Sequence, residues 1–396
     1  MRIAILTTDT REATVGCTDQ QPRLGIAPQA LLQGFVLLPE VEVHVISCLK
    51  ERLPSPERIA PNIFYHGLAV PRIGWLRTGY QGCIRAVRKK LKEIQPDIVH
   101  GQGTERDCAI SAVFSGFPNV VTVHGNMGAV SKVYRARPGS FLWLAARLED
   151  FTLPRTNGII CISDYVKDLV VKHGVQTWLV PNAIQGMFFD FKNETKAPAT
   201  KPLLINVGVI SGRKRQRQVL ATLMSLREEG LDFDTLFIGV SYPGETYATA
   251  FSAMLEGANR KLGGFEHIQK LDDTAFCRLF DRASAMIHFS NEESFGLTFA
   301  EAIARGLYLF ASDVGAIRDI AKGVERVEIF GMDNWEEMKN AVRRWLVAKE
   351  YQRPRSENPP AEFCQRYQPI SVARRHLKIY QELLKGLTLP HCRGKQ

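Results

Sequence analysis

The sequence predicts an α/β protein of two successive domains facing one another across a cleft, each a parallel sheet wrapped by helices. Short apolar runs alternate with longer segments of helical period along nearly the whole chain, as in sheets covered on both faces. The pattern stops at residues 191–202, which are poor in apolar residues and carry Pro198 and Pro202, and then restarts. A chain of 396 residues also exceeds what one ordinary core organises. Apolar content of 45% and charged content of 23% are globular values and exclude disordered and fibrous classes.

The first domain is expected over 1–190. Its strands are read at Ile3 to Thr7, Glu42 to Ser47, Ile63 to His66, Ile98 to His100, Val120 to His124, Gly158 to Ser163 and Trp178 to Val180. Its helices are read at Ala27 to Leu37, Gly79 to Ile94, Gly139 to Phe151 and Asp164 to His173. After the linker 191–202, the second domain is expected over 203–368. Strands there start at Leu203, Thr235, Ala285 and Leu307, with helices at Gln216 to Glu228, Glu245 to Leu262, Thr298 to Arg305 and Asn334 to Ala348. A closing helix, 369–386, is expected to cross back onto the first domain, ahead of a tail, 387–396. Ligands of such sheets sit at the carboxyl ends of the strands.

The opening Met1 to Leu6 is too short for the apolar region of a leader and reads as a strand. No apolar run reaches the length of about 18 residues that a spanning helix needs, so a cytoplasmic location is expected. The eight cysteines are scattered, with no Cys-x-x-Cys and no metal-ligand spacing, and read as buried or idle thiols. The net charge of +10 is uneven: Arg72, Arg77, Arg85, Arg88, Lys89, Lys90 and Lys92 follow one another without an acid. Without a helix-turn-helix, zinc-finger or aromatic RNA-binding signature, nucleic acid is the weakest partner for that run. Peripheral contact with an anionic membrane and a plain solvated face above Ile84, Val87 and Leu91 both stay open.

The chemistry concentrates in Asn291-Glu292-Glu293-Ser294-Phe295-Gly296-Leu297-Thr298-Phe299-Ala300-Glu301. A strand ends near Ser290, a glycine turn follows and a helix begins near Leu297. Unpaired N–H groups at a helix start suit a diphosphate. Glu293 precedes the turn and Glu301 lies one helical turn beyond it. One carboxylate can therefore meet a sugar, while the other accepts from two neighbouring ribose hydroxyls.

This segment, followed by Glu301-Ala302-Ile303-Ala304-Arg305-Gly306 and Ala311-Ser312-Asp313-Val314-Gly315-Ala316, resembles the donor-binding segment of the family-four glycosyltransferases. Those are retaining enzymes of the GT-B fold, built from two Rossmann-like domains. Pro96 to His100, Val123-His124-Gly125, Cys161 to Lys167, Val180 to Ile184 and the tail Tyr367 to Tyr380 are similar to further segments of that family, in the same order.

The resemblance implies roles residue by residue. Glu293 would hold hydroxyls of the transferred sugar and Glu301 the ribose. Phe295 and Gly296 lead into the N–H groups of Leu297 and Thr298, which would hold the diphosphate. Gly208 through Lys214 is similar to the family's basic loop, in which Lys214, with Arg213 beside it, would balance charge on the departing phosphate. Val209 stands where the family often has arginine, which leaves that duty to Arg213. In the first domain, Gly25 is the glycine expected where backbone closes on the donor phosphate, with Gly16 the alternative, and His124 resembles the family's cleft histidine. Asp232-Phe233-Asp234 matches a metal-diphosphate motif of a different glycosyltransferase fold, but it precedes a strand, on the side away from the cleft.

The resulting expectation is a metal-independent, cofactor-free transfer of a hexosyl-type sugar, with the nucleotide-sugar as co-substrate. UDP-linked donors come first and GDP-linked ones next; the acceptor is a glycan, a lipid-linked sugar or a small molecule. No carboxylate needs to act as a covalent nucleophile. A nucleotide-sugar epimerase, a phosphorylase and a non-catalytic nucleotide-sugar-binding member remain as alternatives. His267-Ile268-Gln269-Lys270 departs from the family's apolar-glycine turn near the base. The loops Arg11 to Arg23 and Gly125 to Pro138 are expected to select the acceptor.

Overall fold

The computed structural model describes residues 1–13, 19–71, 73, 75–190, 200–355 and 359–388. It divides into two compact units, Met1–Gln185 with Arg366–Gln396, and Gly186–Gln365. The first division therefore falls just ahead of the expected linker, of which 191–199 lie outside the described residues.

The first unit carries strands β1 (Arg2–Leu6), β2 (Glu42–Leu49), β3 (Arg58–Ala60), β4 (Ile63–Ala69), β5 (Ile98–Gln102), β6 (Asn119–Val123), β7 (Ile159–Cys161) and β8 (Thr177–Leu179). They form one sheet in the order β3-β4-β2-β1-β5-β6-β7-β8, parallel except for the edge pair β3–β4. Helices α1 (Ile26–Val36), α2 (Gln81–Ile94), α3 (Asp107–Val113), α4 (Met127–Val133), α5 (Phe141–Thr152) and α6 (Asp164–Val170) connect the strands. Side chains alternate across a strand, so Ile3 and Ile5 enter one apolar cluster and Ala4 and Leu6 the other. The second cluster is closed by Cys83, Ile84, Val87 and Leu91 of α2. The opposite face of α2 presents Arg85, Arg88, Lys89 and Lys92 as exposed residues.

The second unit has β9 (Leu203–Val207), β10 (Asp234–Ile238), β11 (Phe265–Ile268), β12 (Ala285–His288), β13 (Tyr308–Ser312) and β14 (Val327–Phe330). Their order is β11-β10-β9-β12-β13-β14, all parallel. Helices α7 (Gln216–Glu228), α8 (Thr246–Leu262), α9 (Asp273–Arg282), α10 (Leu297–Ala304), α11 (Ile317–Ile320) and α12 (Trp335–Val347) pack around it. Its core includes Leu204, Leu223, Phe237, Phe251, Ile287, Phe310 and Trp345.

After α13 (Ala361–Tyr367), helix α14 (Pro369–Thr388) returns to the first unit. It packs against α1 through Val372, Ala373 and Tyr380, with the Tyr380 ring stacked on Phe35. Gly34 makes this approach feasible, because a Cβ there would lie 2.1 Å from the Pro369 carbonyl oxygen. No helix among the described residues is long and apolar enough to cross a membrane.

Candidate active site

In the second sheet the strand order reverses between β9 and β12: β10 lies on the far side of β9 and β13 on the far side of β12. Loops leaving such a pair diverge, which opens a crevice at the carboxyl ends. The Gly208–Arg215 loop leaves β9 there, and the Phe289–Gly296 loop leaves β12. Backbone stitches the two loops together, since Asn291 N donates to the Arg213 carbonyl at 2.8 Å.

The loops carry a charged cluster. Lys214 Nζ pairs with Glu293 Oε2, and only 12% and 11% of the two side chains is exposed, so the pair is close to desolvated. His288 Nε2 lies 3.2 Å from the same oxygen. Alongside, Arg213 bonds Glu292 Oε2 at 3.0 Å, and Ser294 Oγ donates to Glu292 Oε1 at 3.0 Å. Burial alone would raise the Glu293 carboxyl, but Lys214 and His288 outweigh it and hold the group well below the usual carboxylate range. Burial, with Lys214 adding to it, pushes His288 down.

Glu293 is held from behind as well. Gly315, in the loop after β13, has φ +54°, and a Cβ there would lie 1.6 Å from the Glu293 carbonyl oxygen. Ala316 N donates to that oxygen at 3.3 Å. Gly208 lies against Lys214, whose side-chain carbons would sit 3.3 Å from a Cβ at that position. Val209 is exposed, and Arg213 is already engaged by Glu292.

Gly296 turns the chain into α10 with φ +94°, a conformation that L side chains rarely adopt. The N–H groups of Leu297 and Thr298 then open the helix without intrahelical acceptors, while the Phe295 side chain is buried. Further along α10, Glu301 is 2% exposed. Burial, assisted by the Asp273 charge, pushes its carboxyl up to about 8. No hydrogen bond or ion pair to the Glu301 carboxyl is found among the described residues. A buried carboxyl left unengaged inside a site is a ligand-binding candidate.

Asp232 and Asp234 stand at the amino end of β10, where both pair with Lys201 and Asp232 also with Arg227. His267 Nε2 donates to the Gly239 carbonyl at 2.8 Å, bracing backbone at the carboxyl end of β10.

In the first unit the order reverses between β1 and β5. Gly25 precedes α1 with extended φ −61°, and a Cβ there would meet Pro28 only at an ordinary 3.5 Å. Neither backbone conformation nor packing therefore demands glycine at 25. The alternative, Gly16, lies outside the described residues, as does Arg72 of the basic run. His124 follows β6, is half-buried, and places Nε2 2.7 Å from Gln102 Oε1. Burial pushes its imidazole down to about 4.

Two features escape a reading by motif. Arg11 is 1% exposed: it pairs with Asp9 at 2.7 Å, donates to the carbonyls of Asp19, Gln20 and Pro54, and reaches Ser55 Oγ. The start of the expected acceptor loop is thus an internal clamp. Glu149, on α5, is also 1% exposed and accepts from Thr104 Oγ1, Asn126 Nδ2 and the N–H of Met127 at 2.5, 2.7 and 3.0 Å. It ties down the loop that begins at Gly125. Residue spacing carries no signal for either contact. Three potential metal-ligand atoms, on buried Cys48, Cys83 and Asp107, gather within 4.8 Å of one another in the first unit.

Two α/β units, each with a strand-order reversal in a largely parallel sheet, define a Rossmann-like layout, and comparison with known proteins narrows it. Residues 38–185 match the family model "Glycosyltransferase Family 4", and residues 187–360 match "Glycosyl transferases group 1". The chain belongs among the glycosyltransferases of GT-B fold. A curated relative, the serotype-specific mannosyltransferase WbdA of Escherichia coli, is 26% identical over 238 residues. The match takes in 55% of this chain and 28% of that protein, so it spans less than a third of the relative's length. Sucrose-phosphate synthase from Thermosynechococcus elongatus shares the fold with TM-score 0.75 and 16% identity, over 97% of this chain and 99% of that one. Anabaena Alr3699/HepE in complex with UDP-glucose does so with TM-score 0.66 and 14% identity, over 96% and 100%.

Proposed function

We propose that this chain transfers a hexosyl-type sugar from a nucleotide-sugar to a glycan, lipid-linked or small-molecule acceptor, retaining the anomeric configuration and needing no metal. The observation that carries the reading is the Lys214–Glu293 pair beside the opening N–H groups of α10, at the β9/β12 reversal. In this reading the diphosphate takes the N–H groups of Leu297 and Thr298, where a helix start favours anions. Lys214 turns from Glu293 to the departing phosphate, supplying fixed positive charge where negative charge develops. Glu293, released, accepts from hydroxyls of the sugar, and Glu301 accepts from the ribose. Two cations at one site give the reading its independence from a metal, and Arg213 backs Lys214 from its place on Glu292.

UDP-linked donors stand first, supported by the neighbour solved with UDP-glucose; GDP-linked donors stand next, and a mannosyl donor fits the mannosyltransferase relative. We also propose that the exposed basic face of α2 rests on anionic lipid when the acceptor is lipid-linked. The test is calorimetric titration with UDP-glucose, UDP-galactose, GDP-mannose and ADP-glucose, followed by NMR of the product anomer. Binding of at least one donor, lost in Glu293→Ala combined with Glu301→Ala, supports the reading. Absence of heat with every donor would overturn it.

A further inference from the structure

The proposed transfer asks two things of Glu293. It must give up Lys214 to the diphosphate, and it must then stay in place as an acceptor although it is buried. A buried carboxylate that loses its cation takes up a proton or swings towards water unless another donor holds it. His288 is that donor. Its Nε2 lies 3.2 Å from Glu293 Oε2, the oxygen that Lys214 Nζ also reaches. A carboxylate only accepts, so His288 presents N–H at Nε2 whether its ring is neutral or charged.

The two donors are mounted differently. Lys214 stands on the loop after β9 and reaches Glu293 on a flexible stem, which lets the ammonium change partner. His288 is the last residue of β12, pairs in register with Ala311 of β13, and is 2% exposed. On β9, Asn206 fixes the same strand by donating to the Ile287 carbonyl at 2.7 Å. Helix α10 covers the His288 ring with Phe299, at 5.8 Å between centroids. A short side chain on a central strand holds its geometry while neighbouring loops rearrange. The turn leaves Glu293 little slack either, since a Cβ at Gly296 would lie 3.2 Å from Glu293 Cγ. Charged groups facing His288 are Lys214 and Arg213, from the loop after β9, and Glu293 itself. All these residues belong to Gly186–Gln365, so the arrangement is complete within the second unit.

We propose that His288 is a positioning residue: its strand-borne N–H holds the Glu293 carboxylate after Lys214 has turned to the diphosphate. The departure of Lys214 rests on the proposed transfer; the grip of His288 on Glu293 does not. Held in this way, Glu293 stays ionised through the change of partner. Without His288, burial raises the carboxyl once the ammonium has gone, and Glu293 takes a proton where it should accept a hydrogen bond.

The test has two arms on the full-length chain. The first needs no ligand, because Lys214→Met imitates the departed ammonium. The Glu293 carboxyl, isotope-labelled and assigned by comparison with Glu293→Gln, is titrated by NMR in that variant. Adding His288→Met should move its titration up by about one to two pH units, the worth of one hydrogen bond to a charged group. Adding His288→Gln, which keeps an N–H, should leave it near the value in Lys214→Met alone. Equal titration in all three overturns the proposal. So does a bare Nε2 on His288 in nitrogen NMR of the unsubstituted protein, a reading that no variant's folding affects.

The second arm follows pH profiles with UDP-glucose or GDP-mannose, whichever binds. In His288→Met, kcat reports the donor-bound chain, where Glu293 has lost both donors, and should fall as pH drops through the raised carboxyl value. The ratio kcat/KM reports the free chain, where Lys214 still holds Glu293, and its acid limb should lie at lower pH. A packing role for His288 moves both limbs alike, and limbs that coincide overturn the proposal. His288→Gln should regain the parent profile. If no donor binds, the proposed transfer falls, and the grip of His288 on Glu293 stands or falls on the first arm.

Discussion

Lys214 and Glu293, 79 residues apart in the chain, meet as an ion pair at the carboxyl ends of adjacent strands, with His288 on the same carboxylate oxygen. The pair brings positive charge to a crevice that would receive a diphosphate while keeping a buried carboxylate ionised.

That coupling makes the consequences of substitution unequal. Glu293→Ala removes the partner of a nearly buried ammonium, a change worth about 3–5 kcal/mol when both charges are fully buried and less at this exposure. Glu293→Gln keeps an acceptor for Lys214 and should melt closer to the parent. Both should lose transfer. Combining Glu293→Leu with Lys214→Met should recover much of the melting temperature and none of the activity. Equal melting of Glu293→Ala and the parent would show that the pair contributes nothing to stability.

Glu301 leads to the opposite sign. Its carboxyl titrates near 8 in the folded chain, above its value when unfolded, because burial penalises the ionised form. The folded state therefore holds the proton longer, and stability should fall as pH rises from about 4.5 to 8. Glu301→Gln removes that penalty and should raise the melting point by a few degrees at pH 8, with little change at pH 4. The same variant should raise the donor KM more than it lowers kcat. Melting curves at the two pH values decide the first point, and a gain at pH 4 equal to that at pH 8 would refute it.

Removing the Glu149 carboxylate should loosen the loop after His124. Glu149→Ala strands Asn126 and the N–H of Met127 without their acceptor, each worth about 1–3 kcal/mol if left buried. Limited proteolysis should then cut between 125 and 138 faster than in the parent. Glu149→Gln, which keeps one good acceptor, should fall between the two. Identical digestion of all three would remove the anchoring role.

Replacing Arg85, Arg88, Lys89 and Lys92 together by glutamate should abolish sedimentation with anionic vesicles, since each basic residue near such a surface contributes about 1 kcal/mol. Transfer to a water-soluble acceptor should survive. Parent protein that ignores the anionic lipid content of the vesicles would end the membrane proposal.

The order of elements was legible because it depends on local periodicity. Helix α7 lies at Gln216–Glu228 as read from the sequence, and most other expected elements sit within two or three residues of their places. Some short segments, α3, α4, α9, β11 and β14, of four to ten residues, carried no apolar period that was read from the sequence. The acidic residues flanking the turn before α10 could be picked out, because a strand end, a glycine and a helix start lie within eleven neighbouring positions. The clamp of Arg11 on Asp9 could not: Arg11 to Arg23 reads as a polar loop reaching for an acceptor, and the charge at its start is turned inward.

By itself, the amino-acid order determined where helices and strands begin, that two α/β units follow one another, and which short stretch carries the paired glutamates. The first two follow from hydrogen bonding and side-chain period within a few residues; the third rests on the likeness of residues 291–316 to the donor-binding segment of the family-four glycosyltransferases. Strand order was decided only by tertiary structure, and it brings β12 beside β9 and so Glu293 to Lys214. Tertiary structure also decided where the expected crossing helix α14 lands, which sets Tyr380 against His100, 280 residues away. Those contacts depend on how sheets are covered and which charges lose their water, and the free energy of burying a charge is a property of its final surroundings, which no neighbouring residue reports.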